Sequence, residues 1–159
     1  MRSGVGYDSH RFAEGRRLVL GGVEIPHERG LSGHSDADAV AHAVTDAILG
    51  AAALGDIGTY FPPSDPRWKD ADSIELLRAA VRVLEERRYR VVNVDVTVIC
   101  EAPKLAPHVQ AMRSRLAAAL GVDVDCVSVK GKSNEGMGWI GRGEGIAAIA
   151  VAVIDSSNG

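Results

Sequence analysis

Residues 91–99 read VVNVDVTVI, a stretch in which valine alternates with polar residues from Val92 to Val98. Successive side chains of a β-strand point to opposite faces, so the pattern predicts a strand with one apolar and one polar face. The stretch VDCVSVK at 124–130 alternates in the same way. Together the two stretches predict a sheet that is covered on one face.

Segments rich in valine and isoleucine extend this sheet in both directions along the chain. We predict strands at about 2–8, 17–25, 91–99, 124–130 and 145–154. Helix start and stop signals predict helices at about 37–53, 73–88 and 107–120. Because helices and strands alternate only loosely, we expect an α+β fold, a two-layer α/β sandwich with a mostly four- to five-stranded sheet and helices on one face. The apolar strand IAAIAVAVI (146–154) indicates that another subunit covers the open face.

Capping residues mark where the three helices begin and end. The signals are Ser35 or Asp36 before the first helix, Asp72 with Glu75 as a capping box on the second, and Pro107 with Gly121 around the third.

The composition bounds the class of protein. A chain of 159 residues is long enough for one domain with a real core, so we expect a single domain over 1–159. The net charge of −3 and the lack of a dense basic patch argue against nucleic-acid binding. The start, MRSGVGYD, lacks a signal-peptide pattern, and the longest apolar run is too short to span a bilayer. Cys100 and Cys126 are then expected to be packing residues of a reduced, cytoplasmic protein.

The stretch GYDSHRF at 6–12 places Asp8 and His10 two residues apart. In a strand these side chains project together, with Tyr7 and Ser9 on the other face, and an adjacent carboxylate and imidazole suit a zinc-type ion. An exposed Asp-x-His at a strand end is also common as an ordinary solvated pair. The pair alone therefore leaves both interpretations open.

The first predicted helix has an apolar stripe and, opposite to it, a polar line of Asp38, His42 and Asp46 at successive i, i+4 steps. The polar line is either a solvated face or the place from which His42 completes a metal site with Asp8 and His10. In the second case Asp38 or Asp46 orients the imidazole through its other nitrogen. The apolar stripe consists of Val40, Val44, Ala47, Ile48 and Ala51.

Two further stretches pair a functional hypothesis with a structural one. GHSDAD puts His34 and Ser35 at a helix N-terminus, which favours an anion such as phosphate, or simple capping. LGDIGTYFPPSD (54–65) is expected to be an irregular loop that forms a substrate wall, in which Asp56 binds sugar hydroxyls or forms an Asx-turn.

The remaining candidates lie in the second half of the chain. EAPKLAPH (101–108) is a proline-braced turn with Lys104, whose backbone can contact a base edge or simply lead into the third helix. KGKSNEGMGWIGRGEG (130–145) is glycine-rich, so its amides can approach phosphate oxygens, although it matches neither the P-loop nor the Rossmann fingerprint. Glu135 suits magnesium, and Lys132 and Arg142 suit phosphates.

Four motifs, taken in order, resemble one known family over essentially the whole chain. They are GYDSHRF (6–12), HSDADAVAHAVTDAILGAAALGDIG (34–58), NVDVTVICEAPKLAPH (93–108) and GRGEGIA (141–147). The chain resembles the 2-C-methyl-D-erythritol 2,4-cyclodiphosphate synthase family of non-mevalonate isoprenoid biosynthesis. The resemblance implies a homotrimer whose sheets face a central axis and whose active sites lie between neighbouring subunits.

The resemblance also implies the chemistry. Asp8, His10 and His42 bind Zn2+, one ion per site, and Glu135 binds Mg2+ or Mn2+ with the substrate diphosphate. The 2-phosphate of 4-diphosphocytidyl-2-C-methyl-D-erythritol 2-phosphate attacks the β-phosphorus, CMP leaves and a cyclic diphosphate forms, with His34 and Ser133 as the catalytic residues. The residues implied in substrate binding are Asp8, Ser9, His10, His34, Ser35, Asp56, Ile57, Gly58, Phe61, Asp65, Cys100, Pro103, Lys104, Leu105, Ala106, Lys132, Ser133, Asn134, Glu135, Trp139 and Arg142.

The chain departs from the family's pattern in three places, none of which includes an implied metal ligand. Residues 131–134 read GKSN where the family has a run of threonines, Pro63 stands in place of an aspartate, and Trp139 in place of a common phenylalanine. Two alternatives remain open at this stage. One is a zinc phosphoesterase that uses water, and the other is a non-catalytic trimeric module that binds cytidine nucleotides.

Overall fold

The computed structural model of the chain describes residues 1–157, which form seven β-strands and five α-helices. The strands are β1 (Arg2–Ala13), β2 (Leu18–Leu20), β3 (Val23–Ile25), β4 (Gly30–Leu31), β5 (Tyr89–Ile99), β6 (Val127–Lys132) and β7 (Gly145–Ser156). The helices are α1 (Ala39–Ala51), α2 (Ile57–Tyr60), α3 (Ser73–Glu86), α4 (Val109–Leu120) and α5 (Gly138–Gly141). Short 3-10 turns lie at Pro66–Trp68, Ala106–His108 and Val124–Cys126.

One five-stranded sheet organises the molecule, in the order β4-β1-β7-β5-β6, and β2 and β3 form a separate hairpin. The pairing of β5 with β6 is parallel, and β1, β4, β5 and β7 pair antiparallel. Helix α1 packs on β1 and β7, α3 packs on β5, and α4 packs on β6. The predicted two-layer α+β architecture, with helices on one face of a five-stranded sheet, is confirmed.

The covered face of the sheet follows from the alternation in the sequence. Val94, Val96 and Val98 of β5 are fully buried, and so are Ala148 and Ala150 of β7. The small side chains of β7 leave room for α1 to lie close to the sheet. The alternating pattern of VVNVDVTVI therefore correctly predicts which face meets the helices.

The open face of the sheet carries exposed apolar side chains on β1 and β7. Val5 is 67% exposed, Tyr7 55%, Ile149 38% and Val151 45%. A contiguous apolar strip on a sheet face is a common mark of a surface that contacts another protein molecule.

Two glycines allow α1 to lie directly on β1. A Cβ atom at Gly6 would lie 1.9 Å from the carbonyl oxygen of Ala43, and one at Gly4 would lie 2.2 Å from that of Ala47. Only glycine permits this backbone approach. The close packing places His42, in the first turn of α1, beside Asp8 and His10, the next residues on the same face of β1.

Several predicted boundaries differ from the structure. Strand β1 continues to Ala13, and the predicted strand at 17–25 is a hairpin, because Gly21 and Gly22 form its turn with positive φ. The strand expected from 124 starts at Val127, since a 3-10 turn comes before it. The 54–65 loop, predicted to be irregular, contains α2.

The predicted helix caps are confirmed in part for α3 and α4 and wrong for α1. Asp72 caps α3 by accepting from the amide of Ile74, but the Glu75 side chain pairs with Arg78 instead of completing a capping box. Gly121 ends α4 in the left-handed conformation, and Pro107 lies in the 3-10 turn before this helix. Helix α1 is capped by Asp38 rather than by Ser35 or Asp36. Asp38 is favoured as the cap because its side chain also accepts hydrogen bonds from the β2–β3 turn. The local sequence does not show this long-range contact.

Within residues 1–157, no helix is both long enough and apolar enough to cross a membrane.

Candidate active site

Asp8 and His10 of β1 meet His42 of α1 at one point beside the sheet. The Oδ2 atom of Asp8 lies 2.7 Å from Nε2 of His10 and 3.0 Å from Nδ1 of His42. The two ring nitrogens are 3.3 Å apart. One carboxylate oxygen and two imidazole nitrogens form a donor set that can hold a metal ion. The predicted cluster of three ligand residues is therefore present in the fold.

The electrostatics of the cluster favour a cation. Burial by itself raises the pKa of Asp8, but the hydrogen bonds and charges of His10 and His42 outweigh it and lower that pKa to about 2. Burial by itself lowers the pKa of His10, but the hydrogen bond and charge of Asp8, together with the Ser32 carbonyl and the charge of Asp38, outweigh it, so the net shift is upward. A negative carboxylate with two imidazoles is the electrostatic partner that a divalent metal needs.

Each imidazole has a hydrogen-bond partner behind it, on the side away from the cluster. Nδ1 of His10 lies 2.8 Å from the backbone carbonyl oxygen of Ser32. Nε2 of His42 lies 2.7 Å from Oγ of Ser73 and 3.1 Å from Oγ of Ser35. These contacts fix the orientation of both rings.

The hypothesis that Asp38 or Asp46 orients His42 is wrong. The buried carboxylate of Asp38 accepts from the backbone amides of Gly21 and Gly22 and caps α1. Asp46 accepts from the amide of Ile57 at 2.7 Å and so holds the start of α2. Of the three residues in the polar line on α1, His42 therefore belongs to the candidate metal site, while Asp38 and Asp46 hold neighbouring turns.

Sequence reasoning missed Ser73, which contacts the far side of the His42 ring. Ser73 is the first residue of α3, it is 1% exposed, and it lies 31 positions from His42. Nothing in the local sequence distinguishes it from an ordinary helix-start serine. Only the packing of α3 against α1 brings the two together.

A pocket of about 210 Å3, which we call the metal pocket, opens beside Asp8, His10 and His42. Two predicted residues, Asp56 and Asp65, do not line it, and each caps a short helix: Asp56 caps α2 through the amide of Thr59, and Asp65 caps a 3-10 turn and pairs with Arg67. The Asx-type role considered for Asp56 is thus present. The pocket is lined by His10, His34, Ser35, His42, Ile57, Gly58, Phe61, Pro63, Trp68 and Leu76.

A second pocket, of about 310 Å3, which we call the glycine-rich pocket, lies between the turn after β5 and the end of β6. It collects the predicted residues of the proline-braced turn and of the glycine-rich stretch. The amide of Cys100 donates to the carbonyl of Lys132 at 2.9 Å, which ties the two walls together. The lining consists of Cys100, Glu101, Pro103, Lys104, Leu105, Ala106, Val109, Gly131, Lys132 and Ser133.

Glu101, which the sequence analysis did not single out, organises the glycine-rich turn beside this pocket. Its Oε1 atom accepts from the amides of Asn134 at 2.9 Å and Gly136 at 3.1 Å. Between them the backbone of Glu135 has φ of +54°, and its amide donates to Oγ of Ser133. The carboxylate of Glu101 thus fixes the turn that presents Ser133 and Glu135.

The last predicted residues lie around a third cleft. Ser9 is on the face of β1 opposite to Asp8, and it lines this cleft with Trp139 and Glu144. Arg142 donates from Nε to the carboxylate of Glu144 at 2.8 Å. His10 also lines this cleft, so Ser9 lies close to the candidate metal site although its side chain projects from the other face of β1.

The metal pocket and the glycine-rich pocket are separate parts of one chain. Among the described residues, none lines both pockets, and Glu135 is not among the side chains that converge with Asp8, His10 and His42. A single chain thus carries a metal pocket and a glycine-rich pocket that share no wall.

Comparisons with known proteins agree with this geometry. The model of the YgbB family matches residues 1–155. A 2-C-methyl-D-erythritol 2,4-cyclodiphosphate synthase from Dechloromonas aromatica is 61% identical over 97% of this chain and 96% of the relative. A solved 2C-methyl-D-erythritol-2,4-cyclodiphosphate synthase with bound CDP is 40% identical, covers 97% of this chain and 100% of its own, and has a TM-score of 0.89.

A second solved structure is longer than this chain. The bifunctional IspDF from Campylobacter jejuni is 42% identical and covers 98% of this chain, with a TM-score of 0.94, while the chain spans only 42% of that protein. The fold, the three clustered candidate ligands and the full-length sequence similarity all indicate the same family. The chain belongs to the YgbB family and, within it, to the 2-C-methyl-D-erythritol 2,4-cyclodiphosphate synthases.

Proposed function

We propose that the chain converts 4-diphosphocytidyl-2-C-methyl-D-erythritol 2-phosphate into 2-C-methyl-D-erythritol 2,4-cyclodiphosphate and CMP. An oxygen of the 2-phosphate attacks the β-phosphorus, the new P–O bond closes the ring, and the bond to the α-phosphate oxygen breaks to release CMP. The observation that carries the proposal is the convergence of Asp8, His10 and His42 beside a pocket, in a chain whose full-length relatives carry this synthase's name.

Two cations belong to the proposal. Asp8, His10 and His42 fit Zn2+ because they offer one oxygen and two nitrogens, and the Glu135 carboxylate fits Mg2+ or Mn2+. When bound, these ions neutralise charge on the attacking and leaving phosphate oxygens. Phosphoryl transfer requires little covalent help from the protein, so positioning is the main work left to the side chains.

The other side chains hold the substrate. His34 and Ser35 line the metal pocket, where they are placed to donate hydrogen bonds to a phosphate. Lys132 and Ser133 line the second pocket, whose proline-braced wall is proposed to hold the cytosine. The CDP bound by the solved relative supports a cytidine nucleotide as ligand.

We further propose a homotrimer in which each active site uses two copies of the chain. A substrate with a cytidine at one end and a phosphorylated sugar at the other needs both pockets, yet the pockets share no residue within one chain. A ring of copies joins one face of each chain to the opposite face of its neighbour, which lets the two pockets meet. The exposed apolar strip of Val5, Tyr7, Ile149 and Val151 supports burial between copies.

Phosphorus NMR tests the reaction directly. The full-length protein with Zn2+ is incubated with the diphosphocytidyl substrate and Mg2+, and the phosphorus signals are followed. We expect equal amounts of CMP and cyclic diphosphate, with no inorganic phosphate. Release of inorganic phosphate would instead identify a phosphoesterase, and binding without turnover would identify a nucleotide-binding module.

A further inference from the structure

We propose that the Ser73 hydroxyl and the Asp36 carboxylate form a relay that keeps the proton of His42 on Nε2, so that Nδ1 is presented as an unprotonated metal ligand. The inference rests on the proposed role of His42 in holding zinc. Ser73 and Asp36 are positioning residues, since they act through the imidazole and lie on its far side. Their role is distinct from that of the three ligands.

The relay starts at Asp36, just before α1. Its carboxylate accepts from the amide of Ser73 at 3.0 Å, from the amide of Asp38 at 3.1 Å and from the hydroxyl of Ser73. An ionised carboxylate only accepts hydrogen bonds. The single hydroxyl proton of Ser73 must therefore point at Asp36.

The proton count then decides the state of His42. Oγ of Ser73 lies 2.7 Å from Nε2 of His42, and a contact this short needs a proton between the two atoms. Because the Ser73 proton is already directed at Asp36, the proton between Oγ of Ser73 and the His42 ring belongs to Nε2 of His42. A neutral imidazole carries one ring proton, so with that proton on Nε2 the lone pair is on Nδ1, which would bind a metal in place of its present contact with Asp8 at 3.0 Å.

Ser35 is the competing partner, and its geometry is weaker. Its hydroxyl oxygen lies 3.1 Å from Nε2 of His42 and already accepts from the amide of Ala37. If Ser35 donated to Nε2, the lone pairs of Nε2 and Ser73 Oγ would face each other at 2.7 Å. Ser35, His42 and Ser73 are all buried, so little water is available to relieve that repulsion.

The proton of the other imidazole, that of His10, is fixed by a different partner. Nδ1 of His10 faces the carbonyl oxygen of Ser32, which only accepts, so Nδ1 carries a proton. Nε2, which contacts Asp8 at 2.7 Å, is then the atom that would bind a metal in place of that contact. His10 is therefore set by backbone, whereas His42 is set by side chains that link the starts of α1 and α3. The metal centre thus depends on the α3 N-terminus, which supplies no ligand.

Zinc affinity tests the relay without reference to activity. Competition with a chelator is measured on the full-length protein, on Ser73→Ala and on the control Asp72→Asn, which alters the cap of the same helix while keeping a good capping residue. Loss of a partner behind a ligating histidine typically weakens metal binding by about 10–100-fold. We expect a loss of about tenfold or more for Ser73→Ala and none for the control.

The proton position is read by nitrogen NMR of 15N-histidine protein at alkaline pH, before and after addition of Zn2+. We expect wild-type His42 to be the Nε2–H tautomer in the zinc-free state and to bind zinc through Nδ1. An Nδ1–H tautomer, zinc binding through Nε2, or equal zinc affinity in Ser73→Ala and Asp72→Asn would overturn the relay. Absence of zinc binding in the wild type would instead overturn the proposed metal site. If Ser73→Ala fails to fold, the wild-type spectra still decide.

Discussion

The metal pocket and the glycine-rich pocket are built in opposite ways. The metal pocket uses side chains on a long strand and a long helix, and Asp8, His10 and His42 retain only 25%, 17% and 11% of their side-chain exposure. The glycine-rich pocket lies beside a turn whose residues Asn134 to Gly136 are half-buried to exposed and whose shape depends on backbone amides that donate to Glu101. Side chains define the first pocket, and the course of the backbone defines the second.

The difference suggests a division of labour. A metal requires ligands within a few tenths of an ångström of a set geometry, which buried elements of the core can hold. A nucleotide diphosphate is contacted along its length, and a glycine-rich turn with exposed residues can adapt to it. We therefore expect changes in the metal pocket to act on metal content and rate, and changes in the turn to act on substrate and magnesium affinity.

The largest expected effect is that of His42→Ala. Removing one of three ligands should abolish stoichiometric zinc and lower turnover by about a thousandfold, equivalent to ~4 kcal/mol of transition-state stabilisation. Metal analysis and CMP release measure the two quantities, with His27→Ala as the control because His27 packs on Phe12 and is not one of the three clustered residues. Full zinc content with normal turnover would remove His42 from the site.

Two glycine substitutions compare the rigidity of the two regions. Gly6→Ala forces a Cβ atom into the backbone of α1, where it would lie 1.9 Å from a carbonyl oxygen, and should lower the free energy of unfolding by about 3 kcal/mol or more. Gly136→Ala meets no atom within 4 Å and only strains a positive φ of +71°, so we expect a loss of ~1 kcal/mol. Denaturant unfolding measures both, and equal losses would contradict the contrast.

Glu135→Gln separates the two cations. If Glu135 holds the second ion, the substitution should leave zinc content unchanged and raise the magnesium concentration for half-maximal rate about tenfold, or ~1.4 kcal/mol. Magnesium titrations of turnover measure this shift. Glu28→Gln, at another exposed glutamate, is the control. A magnesium curve identical to wild type would rule out the role of Glu135.

The smallest effect is expected for Glu101→Gln. The amide oxygen of glutamine can still accept from the amides of Asn134 and Gly136, but the charge that strengthens those hydrogen bonds is lost. We expect KM for the substrate to rise about threefold, or ~0.7 kcal/mol, with kcat and zinc content unchanged. A fall in zinc content would show that the turn and the metal pocket are not independent.

Local patterns in the sequence predict much of the fold and part of the site. The alternation around Val94 and Val96 gives the covered face of the sheet, the spacing of Asp8 and His10 gives a shared face of β1, and helix periodicity gives the direction of His42. Each of these features depends only on the repeat of one element. Such features could therefore be predicted before any tertiary contact was known.

The parts that the sequence did not reveal depend on contacts between distant segments. The cap of α1 is Asp38 because the β2–β3 turn donates to it, and Ser73 reaches His42 only through helix packing. Glu101 holds a turn that lies more than thirty positions away along the chain. No periodicity records such pairs, so a single sequence leaves them open.

Complementation between two inactive variants tests the shared active site most directly. His42→Ala disables the metal pocket, and Ala106→Trp fills the other pocket from an exposed position of its lining. Each variant alone should be inactive. The two are unfolded together and refolded in equal amounts, so that copies of the chain assemble at random.

If each site takes its metal pocket from one copy and its glycine-rich pocket from the neighbour, about a quarter of the sites in random mixtures combine two intact halves. CMP release is therefore expected to return to about a quarter of the wild-type rate per chain. Mixed assemblies that remain as inactive as the two parents would show that both pockets act within one chain, and would contradict the shared active site.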